Sequence, residues 1–252
     1  MRKFGTLIAG AGLIASCVRS NPEVSPVFPT PFPEIATTPE LETWVTSRIL
    51  SFRERQVSEG FIGLGLQVLA PTAALESAEA HIASLTVTSL EPPPGWFVSP
   101  LGKEPVVIVV NADNQLGDLS SDEIVGIFTG RIENWQMLGG PDRAIQPVIP
   151  LEGAETRNYL QHFVLGDRRF TSSALLGPGP QAMLELVQED LGAIGILPLS
   201  TVTADVGLLT IDGQESGQTG EYPWILEVLA VAPEEPQGIV REWLAWLQAA
   251  GE

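Results

Sequence analysis

The sequence is poor in the residues that build disulfides and many metal sites, because it has one cysteine, Cys17, and two histidines. A single cysteine excludes a disulfide within the chain. Two histidines and one cysteine also make a Cys/His metal cluster hard to build. We therefore predict neither a metal site nor a cofactor.

Basic residues are scarce as well. The chain has 13 Lys and Arg against 31 Asp and Glu, which gives a net charge of −18. That charge opposes non-specific binding to nucleic acid or to anionic membrane surfaces, so nucleic acid is not predicted as a partner. A local anion site stays compatible with it, since uncharged donors can build one. The hydrophobic content of 44% and charged content of 17% are typical of a globular protein.

Motifs of common enzymes are missing from the sequence. It contains no Gly-x-Ser-x-Gly, no His-Glu-x-x-His and no P-loop. Its histidines, His81 and His162, stand alone. Glu152 and Glu155 form a carboxylate pair at i, i+3, but helix capping explains that spacing better than catalysis does. We therefore predict that the protein is not an enzyme.

The N-terminus has the marks of a secretory signal. Arg2 and Lys3 precede the apolar residues 4–15, a stretch too short to span a bilayer comfortably. The ending Ile-Ala-Ser-Cys resembles a bacterial lipobox, which implies cleavage after residue 16 and lipidation of Cys17. The alternative is an ordinary signal peptide with a chance cysteine. Residues 17–33 hold five prolines, which favours a stiff tether or a disordered leader. The prediction is an extracytoplasmic protein, lipid-anchored to the bacterial cell membrane.

An α/β pattern occupies the middle of the chain. The β-branched run 106–110 predicts a buried strand ending at Asn111. Ser120 and Glu123 have the spacing of a capping box at the start of a short amphipathic helix. Gly130 suits the left-handed position that ends it. Strand, helix and a second strand at 145–149 then follow one another.

This run, followed by Asn134-Trp135 and Gly139-Gly140, resembles the phosphate-binding (PstS-like) substrate-binding proteins of ABC transporters. The resemblance implies an α/β, two-lobed type II periplasmic-binding-protein fold, in which each lobe is a mixed sheet flanked by helices. It places residues 34–110 with 213–252 in the first lobe and 111–212 in the second, with two hinge crossings. It further implies a small solute, phosphate or another molecule, an ABC permease as partner, and a monomer.

The resemblance also implies where a ligand would bind. In the family, hydroxyl residues at the start of the first helix and at the end of a later strand contact the ligand. The family's loop Arg-x-x-Gly-Ser-Gly-Thr aligns with residues 150–156, where Pro150, Ala154 and Glu155 replace the arginine, the serine and the second glycine. The alternative for the hydroxyl residues is helix capping and turn chemistry. The predicted ligand-binding residues are Thr37, Thr38, Thr88 or Ser89, Glu152, Ala154, Glu155, Thr156 and Arg157.

These replacements predict weak phosphate binding or none. Glu152 or Glu155 is expected to accept the free N–H groups of the helix predicted at 156–165, the groups that an anion would use. A carboxylate about 4 Å from an anion also repels it by roughly 4 kcal/mol at an effective dielectric of about 20. Arg157 is expected to offset part of this repulsion. Two hypotheses follow: a solute-binding protein for another ligand, or an envelope sensor or protein-interaction module on the same fold.

Overall fold

The computed structural model describes residues 32–56, 63–216 and 222–250. The predicted signal peptide, Cys17 and residues 17–31 of the predicted tether lie outside the described residues. Within the described ranges, no helix is both long enough and apolar enough to cross a membrane.

The described residues form strands and helices that alternate along the chain. The strands are Glu34–Thr37 (β1), Gly65–Val68 (β2), Leu85–Thr88 (β3), Phe97–Asn111 (β4), Asp118–Leu119 (β5), Gln146–Pro150 (β6), Leu175–Gly177 (β7), Ala193–Pro198 (β8), Val206–Ile211 (β9) and Ile225–Ala232 (β10). The α-helices are Glu42–Gln56 (α1), Pro71–Glu79 (α2), Ser121–Phe128 (α3), Glu155–Tyr159 (α4), Pro180–Glu189 (α5) and Gly238–Ala250 (α6).

One long strand, β4, belongs to both halves of the sheet. Its first part pairs with β10 as far as Pro105, beside β3, β1 and β2. From Val106 onward it pairs antiparallel with β8 and then also with β9, and β8 continues to β6 and β7. We call the β2-β1-β3-β10 side the first lobe and the β8-β6-β7 and β9-β5 side the second lobe.

Each lobe has its own hydrophobic core. The first core packs the buried face of α1, including Trp44 and Phe52, against Trp243 of α6. The second core packs the apolar run of β4 with α3 and Trp135. Trp44, Trp135 and Trp243 are among the largest fully buried side chains, so these tryptophans serve packing.

The predicted lobe boundaries at 110/111 and 212/213 stay predictions. In the structure, β4 changes its pairing partner between Pro105 and Val106. Trp224 and Leu226 pack in the second core, whereas Val228 packs in the first. The chain therefore passes between the lobes near residue 105, where the strand pairing changes, and near residue 227, where the packing changes.

The start of α3 follows its sequence closely. The Ser120 hydroxyl accepts from the Glu123 N–H at 3.3 Å, and the Glu123 carboxylate accepts from the Ser120 N–H at 2.8 Å. Gly130 has φ 77° just after the helix, a conformation that glycine adopts without strain. The predicted capping box and its glycine stop are confirmed.

Two predicted helices differ from the structure. Thr38 followed by Pro39 predicts an N-cap and the first residue of a helix, but residues 39–41 form a turn and α1 begins at Glu42. After α4 the chain continues as a π-helix, Leu160–Leu165, whose wider turn buries residues five apart. In a regular helix Phe163 would share the buried face of Leu160 and Val164, but in the π-helix it is 76% exposed.

Candidate functional site

The strand order places the predicted ligand residues at one edge of the sheet. β1 and β3 are parallel neighbours with Thr37 opposite Val87. Thr38 and Ser89, which follow these two strands, therefore leave the sheet at the same edge. In open α/β sheets, ligands bind outside the carboxyl ends of such strands. The loop before α4 comes from the second lobe and closes over this edge, as the contacts of Glu155 show.

Glu155, the first residue of α4, reaches across to the end of β3. Its Oε1 accepts a hydrogen bond from the Thr88 hydroxyl and another from the Ser89 N–H at 3.0 Å. Only 1% of Glu155 is exposed. The prediction that a glutamate of this loop caps its own helix is wrong for Glu155, because donors of the other lobe hold its carboxylate. Ala154 occupies the N-cap and gives no side-chain hydrogen bond.

Sequence reasoning missed a second buried acid, Glu40. It is 3% exposed, and its Oε2 has no hydrogen-bond partner in the described part of the chain. Burial, and then the nearby charge of Glu155, raise the pKa of Glu40 to about 7. Its position after Thr38-Pro39 is typical of an exposed acid in the first turn of a helix. Nothing in that sequence pattern indicates burial.

Burial also raises the pKa of Glu155, and hydrogen bonds from Thr88 and Ser89 work against that rise. The Thr38 hydroxyl lies close enough to lower this pKa as well, although its geometry is not that of a hydrogen bond. Thr38 is fully buried. The structure thus brings together three of the predicted ligand positions, Thr38, Ser89 and Glu155, and adds Glu40 to them.

Other predicted site residues have structural contacts of their own. The Thr37 hydroxyl donates to the Val87 carbonyl at 3.0 Å, which ties β1 to β3. The Arg157 guanidinium donates to the Pro150 carbonyl at 2.7 Å and lies 4.9 Å from the centre of the Phe170 ring. Arg157 therefore contacts groups of its own lobe. It donates no hydrogen bond to Glu155.

A cavity of about 200 Å³ lies beside Glu40. The remaining predicted residues, Glu152, Ala154 and Thr156, line it, and Glu152 is exposed. Much of the wall is proline, contributed by Pro39, Pro71, Pro150, Pro178, Pro180 and Pro198. The wall formed by the described residues includes no Lys, Arg or His.

This arrangement favours some ligands over others. The Ser89 N–H and the Thr88 hydroxyl are already used by Glu155, so these two donors are not free for an anion. The polar atoms that remain unpaired nearby, Thr38 Oγ1, Glu40 Oε2 and Glu155 Oε2, are oxygens. No group of three or more metal-ligating side chains occurs among the residues described. The site therefore favours a ligand that donates hydrogen bonds.

Comparison with known proteins places the fold. Residues 94–250 match the family model of the PBP superfamily domain. The phosphate-binding protein PstS of Bacillus subtilis (strain 168) is 32% identical over 145 residues, which are 56% of this chain and 48% of that protein. The chain thus matches about half the length of this curated relative.

Solved structures give the same architecture. A putative phosphate ABC transporter substrate-binding protein with bound phosphate from Clostridium perfringens superposes with a TM-score of 0.78 at 21% identity, covering 87% of this chain and 94% of that one. An ABC-type phosphate transport receptor from Vibrio cholerae gives 0.65 at 18% identity, covering 86% and 93%. The predicted type II periplasmic-binding-protein fold and the resemblance to PstS-like proteins are confirmed, and the chain belongs to the PBP superfamily.

Proposed function

We propose that the protein is an extracytoplasmic, lipid-anchored solute-binding subunit of an ABC importer. Membership of the PBP superfamily and the likeness to PstS of Bacillus subtilis support the transport role. The lipobox-like sequence that ends at Cys17 supports the anchor. A folded body on a tether of residues 17–33 would present its cleft to a permease in the same membrane.

We further propose that its solute is not inorganic phosphate. The observation that carries this proposal is the Glu155 carboxylate, which already accepts from Thr88 and from the Ser89 N–H at 3.0 Å. Phosphate at these donors would have to displace a buried carboxylate or lie beside it. Two such charges about 4 Å apart repel each other by roughly 4 kcal/mol at an effective dielectric of about 20. Arg157 cannot offset this repulsion without leaving the Pro150 carbonyl.

The second candidate is an envelope sensor or a protein-interaction module on the same fold. The same contact favours it, because the Glu155 carboxylate joins the two lobes through donors that a solute would otherwise use. In that case the outer surface, rather than the cleft, would carry the recognition. The two candidates differ in their membrane partner.

Affinity purification from membranes of the producing cells distinguishes them. The full chain, tagged at its C-terminus, is expected to reach the membrane fraction and to recover a permease after mild crosslinking. The Cys17→Ser variant, which cannot be lipidated, should leave the membrane fraction. Recovery of another envelope protein without a permease would favour the sensor and would contradict the importer.

A further inference from the structure

Three buried oxygen atoms near the cleft lack hydrogen-bond partners among the residues described. They are Thr38 Oγ1, Glu40 Oε2 and Glu155 Oε2. Glu155 accepts from the Ser89 N–H just after β3, and Thr38 and Glu40 follow β1, the parallel neighbour of β3. Buried polar atoms in folded proteins are nearly always paired. The two unpaired carboxylate oxygens therefore indicate a ligand that supplies donors.

The charge of the cluster gives the sign of that ligand. Two carboxylates, Glu40 and Glu155, are buried, and each is at most 3% exposed. The charge of Glu155 acts on Glu40. The wall of the adjoining cavity has no basic side chain in the described part of the chain. Arg157 donates to the Pro150 carbonyl. A buried carboxylate without a protein counter-ion takes up a proton unless a cation binds beside it and keeps it ionised.

The cavity gives the size and the body of the ligand. It encloses about 200 Å³ and is walled largely by prolines, with Glu40 as a buried acid on its surface. A cavity of roughly 150 Å³ holds benzene, so this one has room for about eight non-hydrogen atoms. Its apolar wall favours a hydrocarbon body.

We infer that this cavity binds a small organic cation, a primary ammonium on a short apolar body, with the ammonium at Glu40 and the body against the prolines. A primary ammonium has three N–H donors. The unpaired Glu40 Oε2 can accept one of them. The inference rests on the proposed solute-binding function and names the class of solute.

The test uses probes of one shape and different charge. Isothermal titration of the full chain with pentylammonium, pentanol, pentanoate and inorganic phosphate, at pH 8, compares a cation, a neutral molecule and two anions. We expect pentylammonium to bind at least about tenfold more tightly than pentanol, because charge-assisted hydrogen bonds are about twice as strong as neutral ones. Pentanoate and phosphate should give no binding heat. This comparison needs no variant.

A matched pair of variants tests the residue. Glu40→Gln keeps the shape and removes the charge, and should weaken pentylammonium at least about tenfold. Glu54→Gln changes an exposed glutamate of α1, outside the cavity wall, and should leave binding within about twofold. Equal binding of pentanol and pentylammonium, or unchanged binding by Glu40→Gln, would overturn the cationic class.

Failure of the inference and failure of the solute-binding function give different results. Native mass spectrometry of the full chain after incubation with an extract of the producing cells shows any retained solute. A retained amine supports the inference. A retained neutral or anionic solute overturns the cationic class and leaves solute binding intact. A chain that retains no solute and also does not bind pentylammonium overturns both the cationic class and the solute-binding function.

Discussion

The carboxylate of Glu155 accepts the Ser89 N–H at 3.0 Å, although 66 residues separate the two in sequence. The contact joins α4 of the second lobe to the end of β3 in the first. In solute-binding proteins of this architecture, lobes close around a ligand. Here an acidic side chain of the protein bridges them, and it places a charge beside the buried Glu40.

Stability should fall as pH rises through the neutral range. The pKa of Glu40 is about 7 in the folded protein against 4.5 as its ordinary value. The folded state therefore binds more protons than the unfolded state between these values, so the free energy of unfolding decreases with pH from about 4.5 to about 7 and then levels off. For Glu40 alone the loss is about 3 kcal/mol at most. The raised pKa of Glu155 acts in the same direction.

Glu40→Gln isolates this effect. Urea unfolding at pH 5 and pH 8 should show a smaller loss of stability between these values for Glu40→Gln than for the unaltered protein. The other acids that face Glu40 are Glu155, whose charge raises the pKa of Glu40, and Glu152, which lines the same cavity. Both remain in the Glu40→Gln variant. The exposed control Glu54→Gln should keep the full loss. An identical pH profile for Glu40→Gln and the unaltered protein would show that Glu40 is not buried as described.

Ser120→Ala should cost about 1 kcal/mol, because it removes the side-chain acceptor for the Glu123 N–H at the start of α3. Ser51→Ala provides the comparison. It makes the same change in the interior of α1, where the exposed Ser51 hydroxyl bonds back to the Ser47 carbonyl, and alanine there is as good or better for the helix. Equal denaturation midpoints for the two variants would contradict the capping role.

Gly192→Ala should destabilise the second lobe by about 2 kcal/mol or more. A Cβ at Gly192 would lie 2.4 Å from the Ala144 carbonyl oxygen, and the Gly192 carbonyl accepts from the buried Trp135 indole at 3.1 Å. Gly117→Ala meets nothing within 4 Å and should change the free energy of unfolding by less than about 0.5 kcal/mol. Thermal unfolding compares the two, and similar melting temperatures would contradict the close packing at Gly192.

The sequence predicts best where the structure is local. Ser120 and Glu123 are three residues apart, and their spacing alone determines the capping box. The β-branched run 106–110 predicts a buried strand for a similar reason, since composition reflects burial on both faces. The fold itself was indicated by the resemblance of this segment to PstS-like proteins.

The site depends on contacts that no local pattern encodes. Loop alignment marked Glu155 as unusual, yet its partners come from a strand that precedes it by 66 residues. Glu40 stands near a helix start, where acids are common, and its burial appears only in the folded structure. Phe163 was misplaced because a π-helix replaces the regular turn there. The contacts between residues far apart in the chain and the irregular helix could therefore not be predicted from local sequence patterns.

The most direct test of the account asks whether Glu155 takes the place of a bound anion. Isothermal titration with inorganic phosphate at pH 6, below the pKa of Glu40, compares the unaltered protein with Glu155→Ala and with the exposed control Glu54→Ala. The account predicts that phosphate binds Glu155→Ala at least about tenfold more tightly than either of the others, since the Thr88 hydroxyl and the Ser89 N–H become free. Phosphate binding to the unaltered protein that equals or exceeds binding to Glu155→Ala would contradict it.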